Sequence, residues 1–560
     1  MSQFGRLPSC RLHRAQLSSA CRFGTTTRSR SSLSASNNAR FIYPIISSSV
    51  GKSTFPRGLH TSSLEHSEQS KSKTNLSTQI SEDGLTHITT LSNGLRVVTE
   101  NTAGHFAAVG VYVDAGSRYE TPKTRGISHI LDRLAFKNTE HRTAEEMIAE
   151  LESLGGNIMC SSSREAIMYQ GAIFKQDLAR IISLYAEAVR RPLITPEEVA
   201  EQRETAMYEI SEIYSKPDMI LPELLHTSAF HENTLGNPLL CPPENLELMT
   251  PELIREYIST WYVPERIVIA AAGAPHDQVV QLVEQHFGDM PKSDWAGEVA
   301  TNTQDLSIGK KAKGDSSLYK TITRAATSML SRPPRTPQEI AVQRAHYTGG
   351  SLLLEQPDMP FTHVYVAFPG FSIHDPDIYS LATLQILMGG GGSFSAGGPG
   401  KGMYSRLFTR VLNQHYWVES CTAFNHCYTD AGLFGIAASC RPEYTRHLAE
   451  VIARELELVR AGGVTRDELN RAKNQLKSSL LMNLESRMVQ LEDLGRQIQV
   501  HGRKITVAEM CERIDAVTLG DLVRICGRIL CEPSTVVAQG DLRGLPDVGR
   551  VLEKYGLGKS

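Results

Sequence analysis

The sequence lacks long hydrophobic runs and a complete phosphate-binding loop. No apolar stretch approaches the roughly 18 to 20 consecutive residues that a membrane-spanning helix requires. The glycine–lysine pair at 400–401 has Ser395 where the Walker pattern needs its first glycine, and the similar triplet at 51–53 has Ile46 there. We therefore expect a soluble protein with no transmembrane segment that is not a P-loop nucleotide-binding enzyme.

Cysteine pairs of the kind that bind zinc or exchange disulfides are also absent. The ten cysteines include no CxxC pair, and none is spaced with histidine as in a zinc site. We therefore expect free thiols in a reducing compartment rather than a disulfide framework.

The first 60 residues contain no aspartate or glutamate. They are rich in serine and threonine and carry nine basic residues, which are Arg6, Arg11, Arg14, Arg22, Arg28, Arg30, Arg40, Lys52 and Arg57. This composition is typical of a mitochondrial transit peptide, and a disordered basic arm for nucleic acid is the alternative. Arg57 precedes Leu59 as in a matrix cleavage signal, so we expect residues 1–66 to be a transit peptide. The mature chain would start near Ser67, or nearer His60 after a single cut.

Loss of this segment changes the charge of the protein. The whole chain has a formal net charge of −3, and removal of residues 1–66 leaves 49 basic and 60 acidic residues, a net charge of −11. A protein this acidic is a poor candidate for nucleic-acid binding and a better one for basic partners.

Glycine is unusually dense in one segment. Eight of the fourteen residues at 389–402 are glycine. Because glycine loses the most backbone entropy on folding, we expect a mobile loop here rather than a helix or strand. Apolar helical spacing precedes the run at 381–388, and helical spacing resumes at 403–407. A disordered linker is the alternative, but the run lies well inside one half of the chain, which favours a loop that handles an extended chain.

The sequence repeats at long range. Residues 250–288 predict a helix, an apolar strand and a second helix, and residues 518–556 repeat that order at an offset of 268. Residues 193–199 and 463–469 agree at an offset of 270. Each half also opens with alternating residues typical of a strand. We therefore expect a duplicated chain with two α+β domains.

The same pattern predicts the domain boundaries. Residues 85–295 form the expected N-terminal domain, and residues 351–560 form the C-terminal domain with the glycine-rich loop. Residues 296–350, which are polar and basic, are expected to be a linker with a surface insertion. We assign no function to the insertion around 300–345.

An incomplete metal-binding motif lies early in the first half. The motif HxxEH places two histidines on one helix face to hold zinc, and its glutamate activates a water molecule. Here His129 keeps the first position, Asp132 replaces the glutamate and Arg133 replaces the second histidine. Arginine stays protonated and offers no lone pair. Glu209, on a predicted helix, stands where a third ligand would belong, and we expect it to pair with Arg133. His129 taken alone would be an ordinary helix residue.

Together these features resemble the pitrilysin/insulysin-type metallopeptidases. Within that family the chain is similar to the non-catalytic subunit of a heterodimeric peptidase that removes presequences from proteins imported into mitochondria. The resemblance spans about residues 85–555 and is carried by 129–137, the Glu209 helix, 389–407 and 473–480.

The resemblance implies a fold, a location and a set of partners. The fold would be α+β, with two homologous domains, each a mainly antiparallel sheet covered by helices, that form half of a clam-like chamber. This chain would contain no catalytic residue and no cofactor, and zinc would lie in a partner β subunit. The complex would act in the mitochondrial matrix on basic amphipathic presequences, and peripheral association with the inner membrane is left open.

The resemblance also implies site residues. The metal positions His129, Asp132, Arg133 and Glu209 would be degenerate. The glycine-rich loop would bind presequences and release product through Gly389, Gly390, Gly391, Gly392, Ser393, Phe394, Gly397, Gly398, Gly400, Lys401 and Gly402.

Two other functions remain open at this point. A structural core protein of the respiratory cytochrome bc complex would share the fold and often the broken metal site, but it would not need the glycine-rich loop. An autonomous zinc peptidase is the other alternative, and Arg133 argues against it.

Overall fold

The structure is a computed structural model, and it describes residues 77–81, 84–296, 336–392 and 403–558. The predicted transit peptide and residues 297–335 of the predicted insertion lie outside the described residues. In the part of the chain that is described, no helix is long and apolar enough to cross a membrane.

The first domain is built on a seven-stranded sheet. Its strands are β1 (Ser77–Ile80), β2 (Thr86–Thr90), β3 (Arg96–Glu100), β4 (Phe106–Val113), β5 (Asn157–Ser162), β6 (Ile167–Phe174) and β7 (Ile267–Ala272). Its helices are α1 (Ile127–Leu134), α2 (Ala144–Ser153), α3 (Leu178–Arg190), α4 (Pro196–Tyr214), α5 (Pro217–Ala229), α6 (Pro243–Leu246), α7 (Pro251–Trp261) and α8 (His276–Phe287). The strand order is β1-β2-β3-β7-β4-β6-β5.

The second domain repeats this plan with six strands. They are β8 (Gly350–Glu355), β9 (Thr362–Gly370), β10 (Gly390–Gly392), β11 (Val418–Cys427), β12 (Gly432–Cys440) and β13 (Thr535–Gly540). Helix α9 (Pro337–Val342) precedes this domain, and its Ile340 and Ala341 pack against the core of the first domain. The helices of the second domain are α10 (Ile378–Met388), α11 (Thr445–Arg460), α12 (Arg466–Leu484), α13 (Arg487–His501), α14 (Val507–Asp515), α15 (Leu519–Ile529) and α16 (Val548–Lys554). The strand order is β10-β11-β12-β9-β13-β8.

The two sheets share one topology. The order β3-β7-β4-β6-β5 in the first sheet corresponds to β8-β13-β9-β12-β11 in the second. Each sheet has one parallel pair, β3 with β7 and β8 with β13, and its other strand pairs are antiparallel. The predicted α+β fold with mainly antiparallel sheets is therefore confirmed, and the strands follow the duplication seen in the sequence.

Corresponding helices also begin in the same way. Thr195 precedes α4 and accepts a hydrogen bond from the backbone N–H of Glu198, whose side chain caps Thr195 in return. Thr465 and Glu468 form the same reciprocal cap at the start of α12. Such caps satisfy backbone donors that a helix N-terminus leaves free, so both helices start at defined residues.

Each half of the chain contributes one helix that packs on the sheet of the other domain. Helix α13 of the second half packs Leu491, Leu494 and Ile498 against the face of the first sheet that carries Tyr112. Helix α5 of the first half packs in turn on the face of the second sheet that carries Tyr365. Central strands such as β4 are therefore buried on both faces, and each domain covers a surface that the other would leave open to water.

A buried cluster of charged side chains joins the domains beside these helices. Arg118 donates to Glu165 at 2.8 Å and forms an ion pair with Asp430 at 2.5 Å, and all three side chains are largely buried. Since an unpaired charge in this position would carry a large desolvation cost, the two halves depend on each other's side chains.

Candidate functional site: a histidine–arginine–glutamate cluster and a glycine-rich loop

A buried carboxylate holds the start of the helix that carries the broken motif. Glu120 accepts hydrogen bonds from the backbone N–H groups of Gly126 at 2.6 Å and Ser128 at 2.9 Å. Gly126 has a φ of 89°, and an added Cβ would lie 2.4 Å from the Cα of Cys241. Only glycine fits this conformation and approach, so the start of α1 is fixed against the segment that contains Cys241.

His129 is buried, and both of its ring nitrogens have partners. Its Nδ1 lies 3.2 Å from the backbone nitrogen of Cys241, whose N–H can only donate, so Nδ1 is the acceptor. The ring proton is therefore on Nε2, which donates to Glu209 Oε2 at 3.3 Å. Helix α1 and helix α4 thus meet through a neutral histidine that acts as a hydrogen-bond donor.

Arg133 lies on the same face of α1 and contacts the same carboxylate. Its Nη2 donates to Glu209 Oε1 at 3.2 Å, and its Nε lies 3.1 Å from Oε2. The predicted pairing of Arg133 with Glu209 is present in the structure. Asp132 instead accepts from the backbone N–H and hydroxyl of Ser162 on β5, at 3.3 and 3.4 Å, which ties the helix to the edge strand of the first sheet.

The pKa values of the two carboxyl groups shift in opposite directions. The hydrogen bond from His129 lowers the pKa of Glu209, and the nearby charge of Arg133 lowers it further. Burial raises the pKa of Asp132, and the charge of Arg133 partly opposes that effect. Glu209 is therefore an ionised partner for the guanidinium group.

These residues do not fit a zinc ion. A zinc site of this kind needs three protein ligands with free lone pairs. Here Arg133 stands at the second ligand position and offers no lone pair, and its guanidinium group holds the carboxylate of Glu209. No group of three histidine, cysteine, aspartate or glutamate side chains in the described residues could hold a metal ion. The arrangement is a hydrogen-bonded ion pair between two helices, and it can serve to hold α1 against α4.

The start of the glycine-rich loop differs from the sequence prediction. The run predicts a loop without strand, but Gly390–Gly392 forms β10, which pairs antiparallel with β11. Gly390 has a φ of 110°, and an added Cβ would lie 1.9 Å from the backbone oxygen of Cys421. The entropy cost of glycine is outweighed here because only a residue without a side chain can approach β11 so closely. Ser393, Phe394, Gly397, Gly398, Gly400, Lys401 and Gly402 lie outside the described residues.

Two residues after the loop anchor its base. The backbone N–H of Gly390 donates to Ser405 Oγ at 3.1 Å, so the residues before and after the loop are joined. Arg406 is buried, donates to Glu468 at 3.1 Å and also contacts the backbone oxygen of Gly463. Glu468 caps α12, so the C-terminal side of the loop is tied to the N-terminus of that helix.

The structure therefore brings the predicted residues together in two groups. His129, Arg133 and Glu209 meet in the first domain, and Gly389 to Gly392 lie at the edge of the second sheet. Sequence reasoning missed Cys241 and Ser405, since their contacts to His129 and Gly390 depend on the fold and no local pattern marks them. Arg406 contacts Glu468, and the spacing of Thr465 and Glu468, which is typical of a capping box, is the one sequence signal that marks this contact.

Comparison with known families decides the classification. Residues 96–243, which include α1 and α4, match the family described as Insulinase (Peptidase family M16). Residues 249–476, which include β10 and the glycine-rich loop, match Peptidase M16 inactive domain. The chain belongs to peptidase family M16. His129, Arg133 and Glu209 thus lie in the segment that matches the family's peptidase description.

Several curated proteins are similar to this M16 chain over most of its length. "Mitochondrial-processing peptidase subunit alpha" of Neurospora crassa is 51% identical, covering 82% of this chain and 85% of the relative. "Probable mitochondrial-processing peptidase subunit alpha" of Schizosaccharomyces pombe is 44% identical, with 84% and 88% covered. The human protein named "Mitochondrial-processing peptidase subunit alpha" is 36% identical, with 82% and 83% covered.

One solved structure shows the M16 fold at lower identity. A chain of complex III2 from Candida albicans, bound to Inz-5, matches with a TM-score of 0.64 and 18% identity, covering 84% of this chain and 99% of that one. At this identity the likeness establishes the shared fold alone, so it does not favour a structural core role for this chain.

Proposed function

We propose that this chain is the non-catalytic, substrate-recognising subunit of a heterodimeric mitochondrial processing peptidase. The observation that carries the proposal is the Arg133–Glu209 pair in place of a metal site, in a chain that is 51% identical to a protein named as the alpha subunit. Cleavage then needs a second subunit with an intact HxxEH motif. We propose that this β subunit holds the zinc and that this chain holds none.

The glycine-rich loop is the proposed substrate contact. Eight of the fourteen residues at 389–402 are glycine and have no side chain, and Phe394 is the large apolar residue among the others. We propose that the loop binds basic amphipathic presequences and that Phe394 touches their apolar face. The two domains would form half of a chamber that the β subunit closes, in the mitochondrial matrix.

The N-terminal segment and the domain limits are part of the same proposal. Residues 1–66 would be removed as a transit peptide, and the mature protein would comprise domains 85–295 and 351–560 joined by 296–350. Strand β8 starts at Gly350, and Thr348 bonds to Ala229 of α5, which supports placing the boundary close to residue 350.

The first experiment measures cleavage. The chain without residues 1–66 is assayed alone and together with the β subunit, on a peptide that spans residues 50–66 of this sequence. We expect no cleavage by the chain alone and cleavage by the heterodimer. Stoichiometric zinc and cleavage in the isolated chain would contradict the proposal.

The second experiment tests the loop. Deletion of residues 393–400 leaves β10 and its pairing with β11 in place, so we expect normal assembly with the β subunit and normal zinc content. Turnover should fall severely through weaker substrate binding or slower product release. Deletion of residues 310–317, of equal length, is the control and should leave turnover unchanged. Normal turnover in the loop deletion would show that the loop is only a spacer.

A further inference from the structure

The contact between helix α5 and the second sheet places two histidines side by side. His226 lies on α5 and His426 lies on β11, and their ring centroids are 5.1 Å apart with an interplanar angle of 63°. His226 is 2% exposed. Because α5 belongs to the first half of the chain and β11 to the second, the two rings face each other across the boundary between the halves.

The hydrogen bonds of His226 require a neutral ring. Its Nδ1 lies 2.7 Å from the backbone oxygen of Pro222, which can only accept, so Nδ1 carries the proton. Its Nε2 then accepts a hydrogen bond from the hydroxyl of Tyr428, in the turn between β11 and β12, at 2.7 Å. A second proton, on Nε2, would remove the acceptor of this hydrogen bond between the halves.

The charged side chains around the two rings do not compensate for added protons. Burial lowers the pKa of both histidines, and the charge of Arg164, in the turn between β5 and β6, lowers it further. The carboxylate of Glu223 on α5 is already bound by Arg164 at 2.7 Å. Glu165, near Tyr428, is held in the same way by Arg118 at 2.8 Å. A proton on either ring would therefore add positive charge beside a buried guanidinium group.

A further histidine at this contact has a counter-charge of its own. His363 on β9 lies 3.8 Å from the carboxylate of Asp218 at the start of α5, so its protonation would strengthen that pair. Tyr365 also faces α5 from β9, and burial raises its pKa, so it stays neutral in acid. The uncompensated charge would therefore arise at His226 and His426.

The reciprocal contact, of α13 with the first sheet, is built differently. Leu491, Leu494 and Ile498 pack there against apolar side chains and the ring of Tyr112. His501, at the end of α13, faces His374 of the same half. Protonation of that pair adds no charge between the halves, so acid should weaken the α5 contact first.

We propose that the α5 contact is an acid-sensitive switch, in which protonation of His226 and His426 releases α5 from the second sheet while α13 stays on the first sheet. Leu221, Leu225 and Phe230 pack in this contact, so release exposes apolar surface on both halves. In the released state both histidines regain the ordinary pKa of about 6.5, so a falling pH favours release. Through His426 alone, whose pKa is about 4 in the closed contact, the equilibrium constant for release should rise about 25-fold between pH 7 and pH 5.

Amide hydrogen exchange of the full chain at pH 7 and pH 5, read by mass spectrometry, tests the switch. After correction for the intrinsic exchange rates, we expect protection of α5 to fall at least about tenfold at pH 5 and protection of α13 to change less than about twofold. H426Q should reduce the loss in α5, and H226Q/H426Q should remove most of it. Exposed His447 provides the control variant H447Q, which should follow the parent protein.

Three outcomes of this experiment would overturn the inference. Equal losses of protection in α5 and α13 would show general unfolding instead of release of one helix. Full protection of α5 at pH 5 would show that the contact tolerates acid. The same loss in H426Q as in the parent protein would show that His426 does not drive release.

A second measurement uses the wild-type chain, so it remains decisive if H226Q/H426Q does not fold. Exchange of the ring C2 hydrogen of each histidine, followed by mass spectrometry across the same pH range, reports when that ring takes up a proton. We expect His226 and His426 to become protonated at the pH at which α5 loses amide protection. Protonation of both rings while α5 stays protected would show that the closed contact accommodates the charge, and the switch would be excluded.

Discussion

At position 133 an arginine side chain lies where a metal-binding helix would carry its second histidine. Its Nη2 contacts Glu209 at 3.2 Å, and the ring of His129 is turned to donate to the same carboxylate. The sequence was sufficient to predict this pairing, since positions 129 and 133 share a helix face. The tautomer of His129 could not be predicted, because it depends on the backbone of Cys241, 112 residues away.

We predict that the purified chain contains well under one zinc ion per molecule. The variant R133H removes the repelling cation and adds a ligand on the face that carries His129, so its affinity for zinc should rise by at least about tenfold. R133Q is the control, because it removes the charge without adding a comparable ligand. Zinc competition against a fluorescent chelator measures all three proteins, and equal affinities in R133H and R133Q would contradict the expectation.

A buried histidine should make stability depend on pH. Burial and the nearby charge of Arg164 lower the pKa of His426 from 6.5 to about 4. In the unfolded chain His426 is protonated below about pH 6.5, whereas in the folded chain it stays neutral down to about pH 4. The free energy of unfolding therefore falls as the pH drops from about 6.5 to about 4. The loss attributable to this side chain between pH 7 and pH 5 is about 2 kcal/mol.

Substitution of His426 tests this expectation. The variant H426Q should lose less stability between pH 7 and pH 5 than the parent protein, as measured by the urea midpoint at each pH. Exposed His447 provides the control variant H447Q, which should follow the parent. An H426Q protein with the same pH dependence as the parent would show that His426 does not cause the loss.

Among the elements, the helices were easier to predict than the edge strand. Helix α10 follows from the apolar helical spacing at 381–388, and the structure places it at Ile378–Met388. Strand β10 could not be predicted from composition, since three glycines disfavour a strand. It forms because β11 offers backbone partners from residues about 30 positions away in the sequence.

Helix α13 contacts the first sheet at a glycine. An added Cβ at Gly495 would lie 2.3 Å from the ring of Tyr112, whose hydroxyl donates to Leu491 at 3.0 Å. The variant G495A should therefore overpack this contact and destabilise the protein by about 1–3 kcal/mol. The matched control is G527A in α15, where an added Cβ meets nothing within 4 Å, and helix propensity predicts a gain of about 0.5–1 kcal/mol.

Chemical denaturation of both glycine variants measures these changes. A stable G495A protein would show that α13 can shift away from Tyr112 at little cost. A destabilised G527A protein would show that helix propensity alone does not account for glycine in these helices.

At the scale of the whole molecule, charge should control substrate binding. Without residues 1–66 the chain has a net charge of −11, and basic presequences should be attracted to it. The screening length falls from about 10 Å at 0.1 M salt to about 3 Å at 1 M, so the affinity of the heterodimer for a basic peptide should fall steeply over that range. Titration of the residue 50–66 peptide at several salt concentrations measures this, and affinity that is independent of salt would indicate a mainly apolar contact.

The sequence by itself determined the duplicated α+β plan, the broken metal motif and the position of the glycine-rich run. These features depend on local spacing, such as helical and strand periodicity and the i, i+4 relation of His129 and Arg133. A reader of the sequence alone can therefore place the candidate residues on their elements.

Only the tertiary structure decided how these elements work together. The exchange of α5 and α13 between the domains, the Arg118–Asp430 pair and the contact of His129 with Cys241 join residues more than 100 positions apart. The pairing of β10 with β11 likewise depends on which strand lies beside it. Such contacts have no repeating pattern in the sequence, because they form when segments that are distant in the sequence bury their surfaces against each other.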